Sequence, residues 1–343
     1  MKMSVMRASR RSISGLTPAA AAALSAAAVL TLSACGDGSS GTVTEDGKLR
    51  VTASFYPMQF LAEEIGGRHA EVSTLTKPGT EPHDLELSPR QTGELSDAGL
   101  IVYLKDMQPA VDEAIEQSGA EHVVEASEFT SLEKHGGEED GEHEEHEEDG
   151  GHAGEEADGG HEGHGHGGED GGDPHIWLDP VRYAEVAEGV GKAMAKADPD
   201  HAAAYEKNAA ELADRLRKLD GRFAAGLENR RTDTFITTHA AFGYIADRYG
   251  LVQESIKGLS PESEPSAARM KQLQDIAEDD GVTTVFFETL VSDKTARTLA
   301  GDLDLRTDVL DPIEGVTDKS KGDDYFEIME ANLGALQQAL GAK

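Results

Sequence analysis

Forty-one consecutive residues, 133–173, contain no apolar side chain beyond two alanines. A run of Glu, Asp, Gly and His cannot bury enough surface to offset the entropy of ordering it, so disorder is the expectation. Any core must therefore come from the flanking stretches. The segment also carries 17 acidic residues and one lysine, in a chain of 343 residues with a formal net charge of −35. Such a balance argues against nucleic acid as a partner, because phosphates would be repelled, whereas cations would be concentrated near the surface.

Both flanks alternate strand-like and helical patterns. Ahead of the acidic segment, apolar runs at 49–55, 71–75, 100–104 and 122–124 read as strands, with helical spacing at 59–65, 91–97 and 107–117. Beyond it, Val181, Val186, Val190 and Met194 mark a helix over 180–197, Asp198-Pro199 interrupts, and a second helix runs over 199–227. Strands then follow at 234–238, 252–255, 284–287 and 307–310, with helices at 241–249, 266–280, 292–301 and 324–340. This alternation predicts an α/β protein with two lobes, each a parallel sheet flanked by helices and each with its own core, joined by a long rigid helix. The N-terminal lobe is expected over 48–198, the linking helix over 199–229 and the C-terminal lobe over 230–343. The linking pattern is Ala-rich and charged with few large apolar residues, which suits a helix bridging two lobes rather than one buried in either. A ligand is expected in the crevice where the carboxyl ends of the strands meet.

Lys2, Arg7, Arg10 and Arg11 precede a small, apolar run over 16–32, the pattern of a secretory signal over residues 1–34. Pro18 and the shortness of the run argue against a membrane span. The run ends in Leu32-Ser33-Ala34-Cys35-Gly36, which resembles a bacterial lipobox with Cys35 as the lipidated residue. Residues 35–47 then read as a flexible tether, and the protein is expected outside the cytoplasm, lipid-anchored to the outer face of the cell membrane. Cys35 is the one cysteine of the chain, which excludes an internal disulfide and a Cys-rich zinc site.

Of 13 histidines, seven lie in the acidic segment: His135, His143, His146, His152, His161, His164 and His166. Imidazoles and carboxylates at short spacing can chelate zinc without a fixed fold, weakly and with little selectivity, so the segment reads as a metal-collecting arm rather than the main site. His69, His122 and His201 have no special neighbours in sequence and read as structural. His83, His175 and His239 differ. Each occupies a turn that would face a crevice: His83 in Gly79-Thr80-Glu81-Pro82-His83-Asp84, His175 beside Trp177 in Asp173-Pro174-His175-Ile176-Trp177-Leu178-Asp179-Pro180, and His239 at a strand-to-helix turn.

These motifs, with Thr-His-Ala-Ala-Phe-Gly-Tyr at 238–244, Phe-Phe-Glu-Thr-Leu-Val-Ser-Asp-Lys at 286–294 and Leu-Asp-Pro-Ile-Glu-Gly at 310–315, occur in an order that resembles a known family. The chain is similar to the zinc-uptake substrate-binding lipoproteins of bacterial ABC importers, the ZnuA and AdcA type within the cluster 9 metal-binding group. The resemblance covers nearly the whole mature chain. It implies that His83, His175 and His239 bind one metal ion between the lobes, and that a fourth ligand, where acidic, falls in the 310–315 segment. Glu314 is the expected fourth ligand; Asp311, Glu288 or water are the alternatives, with Glu288 better placed to support a ligand than to be one. Three imidazoles and a carboxylate suit tetrahedral Zn2+. In the manganese-binding branch a carboxylate replaces the residue matching His239, and oxygen-rich sites favour manganese. The function implied is non-catalytic: reversible capture of zinc by a monomer and delivery to a membrane permease with its ATPase. Binding is expected to weaken below about pH 6, as imidazoles protonate. A manganese-binding lipoprotein, an adhesin and a metal buffer are the alternatives; a zinc hydrolase is disfavoured, since no His-Glu-x-x-His pairing occurs.

Overall fold

The computed structural model describes residues 42–135 and 172–342. The expected signal segment, Cys35 and residues 136–171 of the acidic arm lie outside the described residues.

The first lobe runs β1 (Leu49–Ala53), α1 (Tyr56–Gly66), β2 (Ala70–Thr74), α2 (Pro89–Ser96), β3 (Leu100–Tyr103), α3 (Pro109–Ser118) and β4 (Val123–Glu125). An antiparallel helical pair follows, α4 (Pro180–Ala197) and α5 (Ala202–Gly226). The second lobe continues with β5 (Thr234–Thr237), α6 (Gly243–Tyr249), β6 (Val252–Ser255), α7 (Ala267–Asp279), β7 (Thr284–Phe287), α8 (Lys294–Asp302), β8 (Arg306–Val309) and α9 (Tyr325–Leu340). Each lobe holds a four-stranded parallel sheet, in the orders β2-β1-β3-β4 and β6-β5-β7-β8. Helices cover both faces of the central strands, and β1, β3, β5 and β7 are accordingly buried almost throughout, whereas the edge strands β2, β6 and β8 are half-exposed. The order reverses beside β1 in one sheet and beside β5 in the other, and such switch points open a crevice at the carboxyl ends of the strands.

Residues 42–47 are not a free tether. Thr44 N donates to Lys48 O (2.8 Å), Arg50 N donates to Thr42 O (3.0 Å), and Val43 bridges Leu49, folding the stretch back onto β1. The helix after Asp198 is also not a sparsely packed strut. A short 3-10 turn over Pro199–His201 precedes α5, whose Tyr205, Leu212, Leu216, Leu219 and Phe223 form a fully buried stripe. Alpha-5 packs closely along α4; a Cβ at Gly191 would lie 2.4 Å from the Ala209 Cβ, so glycine is needed for the approach. At 25 residues, α5 is about 37 Å long and reaches both lobes. Asn208 Nδ2 donates to Ile65 O (2.9 Å) at one end, and Phe223 stacks on Tyr249 with centroids 5.3 Å apart at the other.

The lobes do not have separate cores. One apolar cluster runs from Leu49 and Phe60 of the first lobe through Trp177 and Tyr183 to Phe286, Tyr325 and Leu336 of the second. Trp177 lies at its centre, edge-on to Phe55 at 5.0 Å, with Nε1 donating to Pro312 O (2.7 Å) and its carbonyl accepting from Tyr325 Oη (2.6 Å). Smaller clusters around Leu75 and Ile101, and around Leu273 and Val285, fill the outer faces of the two sheets. Trp177→Ala should therefore cost about 3–5 kcal/mol, the usual range for a buried aromatic. Denaturant unfolding followed by circular dichroism should show a single transition at a lower midpoint, and loss of the second lobe alone would contradict the shared core.

Candidate metal centre

Four loops at the strand ends supply the site. The loop after β2 carries His83 and is pinned from within. Buried Gln108 donates through Nε2 to Thr76 Oγ1 (2.9 Å) and Pro82 O (3.3 Å), while Thr76 Oγ1 donates to Ser54 O (2.8 Å). His175 precedes a single 3-10 turn, Ile176–Leu178, that inserts Trp177 into the core. His239 follows β5, and its carbonyl accepts from Thr237 Oγ1 (2.7 Å) and Gln253 Nε2 (3.1 Å). Glu314 ends the segment after β8, where buried Ile313 adopts a φ of 59°, a conformation costly for a β-branched residue. Asp311 supports that turn: its Oδ1 accepts from Ile313 N (2.9 Å), its Oδ2 accepts from Thr289 Oγ1 (3.2 Å), and its carbonyl accepts from Asn332 Nδ2 (2.7 Å).

The structure brings together His83, His175, His239 and Glu314, with one ligand atom from each lying within 4.8 Å of the others. Three imidazole nitrogens converge on a single oxygen. Glu314 Oε1 lies 3.3 Å from His83 Nε2, 3.1 Å from His175 Nε2 and 3.6 Å from His239 Nε2, and the last two nitrogens are 3.4 Å apart. A tetrahedral zinc with bonds of about 2.0–2.1 Å would separate its ligand atoms by about 3.3–3.4 Å, and these distances scatter around that value. His175, His239 and Glu314 are closed off from solvent, whereas the His83 side chain is 14% exposed, so the approach to the cluster is on the His83 side.

Behind the remaining nitrogens of two imidazoles lie carboxylates, hydrogen-bonded to His175 and in close ion-pair contact with His239. His175 Nδ1 lies 2.6 Å from Asp173 Oδ1, which also accepts from His175 N (2.9 Å). His239 Nδ1 lies 2.8 Å from Glu288 Oε2, and Thr238 Oγ1 donates to the other oxygen of Glu288. Carboxylates in this position orient an imidazole and raise its basicity.

Burial disfavours the charged form of His175, but Asp173 and Glu314 outweigh it and raise its pKa; His239 is raised in the same way, against burial, by Glu288 and Glu314. Burial likewise opposes ionisation of Glu314, and His83, His175 and His239 reverse this, holding it well below the ordinary carboxylate range. Glu81, whose Oε1 accepts from His83 N (3.3 Å), is pushed up to about 9 by burial and by the neighbouring Glu314, so it is protonated at neutral pH.

Among the alternatives for the acidic position, Asp311 is engaged in the 311–313 turn and Glu288 backs His239, so neither contributes an atom to the convergent set. His69 and His201 lie away from the cluster, but they are not without neighbours: their rings stack at 4.0 Å, and His201 Nδ1 lies 2.8 Å from Asp198 Oδ2. The reading of residues 133–173 as disordered fails at both ends. Glu133 N donates to Tyr244 Oη (3.0 Å), Asp173 N donates to Glu133 O (2.7 Å), and Asp173 is fully buried. Glu81 and Asp173 were within the motifs around His83 and His175, two residues ahead of each histidine, and that adjacency was the one available signal for them.

In the metal-free protein, groups with raised values stabilise the fold most below their unfolded pKa, about 4.3 for Glu81 and about 6.5 for the histidines. That stability is lost as pH rises through the folded values, whereas Glu314 acts oppositely and loses its contribution only as pH falls through its lowered value. Metal-stripped protein should therefore melt at progressively lower temperature as the pH is raised from 6 to 9, and His239→Gln should flatten the decline. A melting temperature that climbs over this interval would contradict the assignment.

A two-lobed solute-binding fold with three histidines and one carboxylate clustered in its crevice defines the class of protein. Residues 51–339 match the family described as zinc-uptake complex component A, periplasmic (ZnuA), and the chain belongs to that family. It is 37% identical over 323 residues to the high-affinity zinc uptake system protein ZnuA of Bacillus subtilis, covering 93% of this chain and 96% of that one. It is 35% identical over 302 residues to the zinc-binding lipoprotein AdcA of Streptococcus pneumoniae, covering 85% of this chain and 56% of that protein, so it spans about half the length of that relative. The zinc-bound ZnuA-like domain of S. pneumoniae AdcA is similar in structure, with a TM-score of 0.67 and 31% identity over 86% of this chain and 99% of the domain.

Proposed function

We propose that this chain captures Zn2+ outside the cytoplasm and delivers it to an ABC importer made of a membrane permease and an ATPase. His83, His175, His239 and Glu314 are the four ligands. The observation that carries this reading is the convergence of three Nε2 atoms on one Glu314 oxygen at 3.1–3.6 Å, the spacing of tetrahedral zinc ligands. Three imidazoles around a single carboxylate favour zinc over manganese, which takes harder, oxygen-rich sites. The four ligands leave no coordination position for an activated water, so the role is binding rather than hydrolysis. The chain acts as a monomer anchored through Cys35 after removal of residues 1–34, and the acidic arm concentrates cations near the cleft.

Because the lobes share a core, the ion enters and leaves by movement of the loop around His83 rather than by wide rotation of the lobes. Similar lobe positions in metal-free and metal-loaded crystals support this, and a large rotation refutes it.

Metal analysis and calorimetry on the purified mature chain test the central claim. One tight zinc per chain is expected, not displaced by equimolar manganese. His239→Ala should abolish tight binding, His201→Ala should leave it intact, and deletion of 136–171, which spares the ordered ends of the arm, should keep the single tight site. Failure of the parent chain to retain zinc, or loss of the site on that deletion, would overturn the assignment.

Binding requires the imidazoles to be neutral, and the raised values of His175 and His239 move proton competition upward from the onset near pH 6 expected of ordinary histidines. Calorimetry at pH 7 in buffers of different ionisation enthalpy should register at least one proton released per zinc, and zero release would contradict this electrostatic reading.

A further inference from the structure

His135 opens the histidine-rich arm, yet its side chain is built into the fold and is 11% exposed. Its Nδ1 lies 2.7 Å from Asp173 Oδ2 and its Nε2 lies 3.0 Å from Asp247 Oδ2 on α6. With a carboxylate on each nitrogen, both nitrogens donate. The ring stands edge-on to Tyr244 with centroids 4.6 Å apart and covers Gly243, where a Cβ would come within 2.3 Å of the His135 Cγ. Glycine at 243 is therefore what makes room for the ring. The surrounding backbone is clasped as well: Tyr244 Oη donates to Asp173 O (2.7 Å), and Arg182 Nη2 pairs with Glu133 Oε1 (2.7 Å).

Asp173 is the pivot. One of its oxygens holds His175 Nδ1 and the other accepts from His135. A carboxylate fully out of water is fixed in place when both its oxygens have partners, and a ligating histidine takes its orientation from the group behind it. We infer that His135 is a positioning residue for the metal centre, acting through Asp173 on His175, so that the first histidine of the arm serves the cleft site rather than the collecting tract. The chain of contacts runs Asp247–His135–Asp173–His175 and ends at the Nε2 that faces Glu314. It joins α6 and both roots of the arm to one ligand.

This inference rests on the proposed zinc site and deepens it. The test compares the mature chain with His135→Ala and His135→Asn, since an Asn amide can place a donor near the position of Nδ1. Zinc affinity is read by competition with a chelator, the geometry of the centre by the visible absorption of Co2+ bound in place of zinc, and the fold by melting of the metal-free proteins. His135→Ala should weaken zinc by about tenfold, the lower end for groups that support metal ligands, and shift the Co2+ bands; His135→Asn should recover most of both. Equal affinity and an unchanged Co2+ spectrum in His135→Ala overturn the inference, as does a weakening that tracks lower melting temperature and is the same in Ala and Asn. Loss of zinc binding in the parent chain would be a different result: it removes the proposed function, and this inference with it.

Discussion

A carboxylate that is 1% exposed cannot remain ionised by itself, and the Glu314 site is organised around meeting that requirement. Three imidazoles surround one of its oxygens, two of them backed by further carboxylates, Asp173 and Glu288. Without metal, protons on these groups balance the charge. With a divalent ion the same balance is reached once the protons leave. The centre is thus a place where a cation of either kind is needed, and exchange between protons and metal is built into its electrostatics.

Such a cluster keeps its spacing only if the loops that carry it cannot drift apart. Two of the four clustered residues sit on segments tied directly to Trp177: His175 lies two residues before it, and Pro312, two residues before Glu314, accepts the Trp177 indole N–H. Because Trp177 lies in the apolar cluster common to both lobes, the seam between them is packed like a protein interior rather than like a hinge. Alpha-5, anchored on α1 at one end and on α6 and α9 at the other, reinforces it. The least enclosed member of the cluster, His83, rides on a loop held by side-chain hydrogen bonds from Gln108.

Much of the fold was legible in the chain. Strands β6 and β7 and helix α4 fall where the pattern put them, because apolar runs bounded by turn residues and a 3.6-residue period are local signals. The misses lie in segments whose composition carries no evident apolar pattern. Residues 42–47 and the roots of the arm are polar and Gly-rich, and composition alone makes them disordered. What orders the roots of the arm are partners far along the chain, Tyr244 for Glu133 and His135 for Asp173, whereas Val43 is held by a turn back onto the start of β1 that composition does not reveal. In α5 the Ala-rich, charged pattern concealed a stripe whose members are spaced widely enough that α4 could fill the gaps between them.

By itself the sequence determined the alternation of strands and helices, hence two parallel sheets, and the three histidines at turns where the strands end. These follow from local propensity and from motif chemistry that does not depend on distant contacts. Only the tertiary structure separates the positions of Glu314, Asp311 and Glu288. All three are buried acidic residues within the stretch 288–314, and spacing carries no information about where a side chain points. The positive φ at Ile313, stabilised by Asp311 and by the shared core, turns Glu314 toward the imidazoles, while β7 delivers Glu288 behind His239. That difference in placement comes from packing between the lobes.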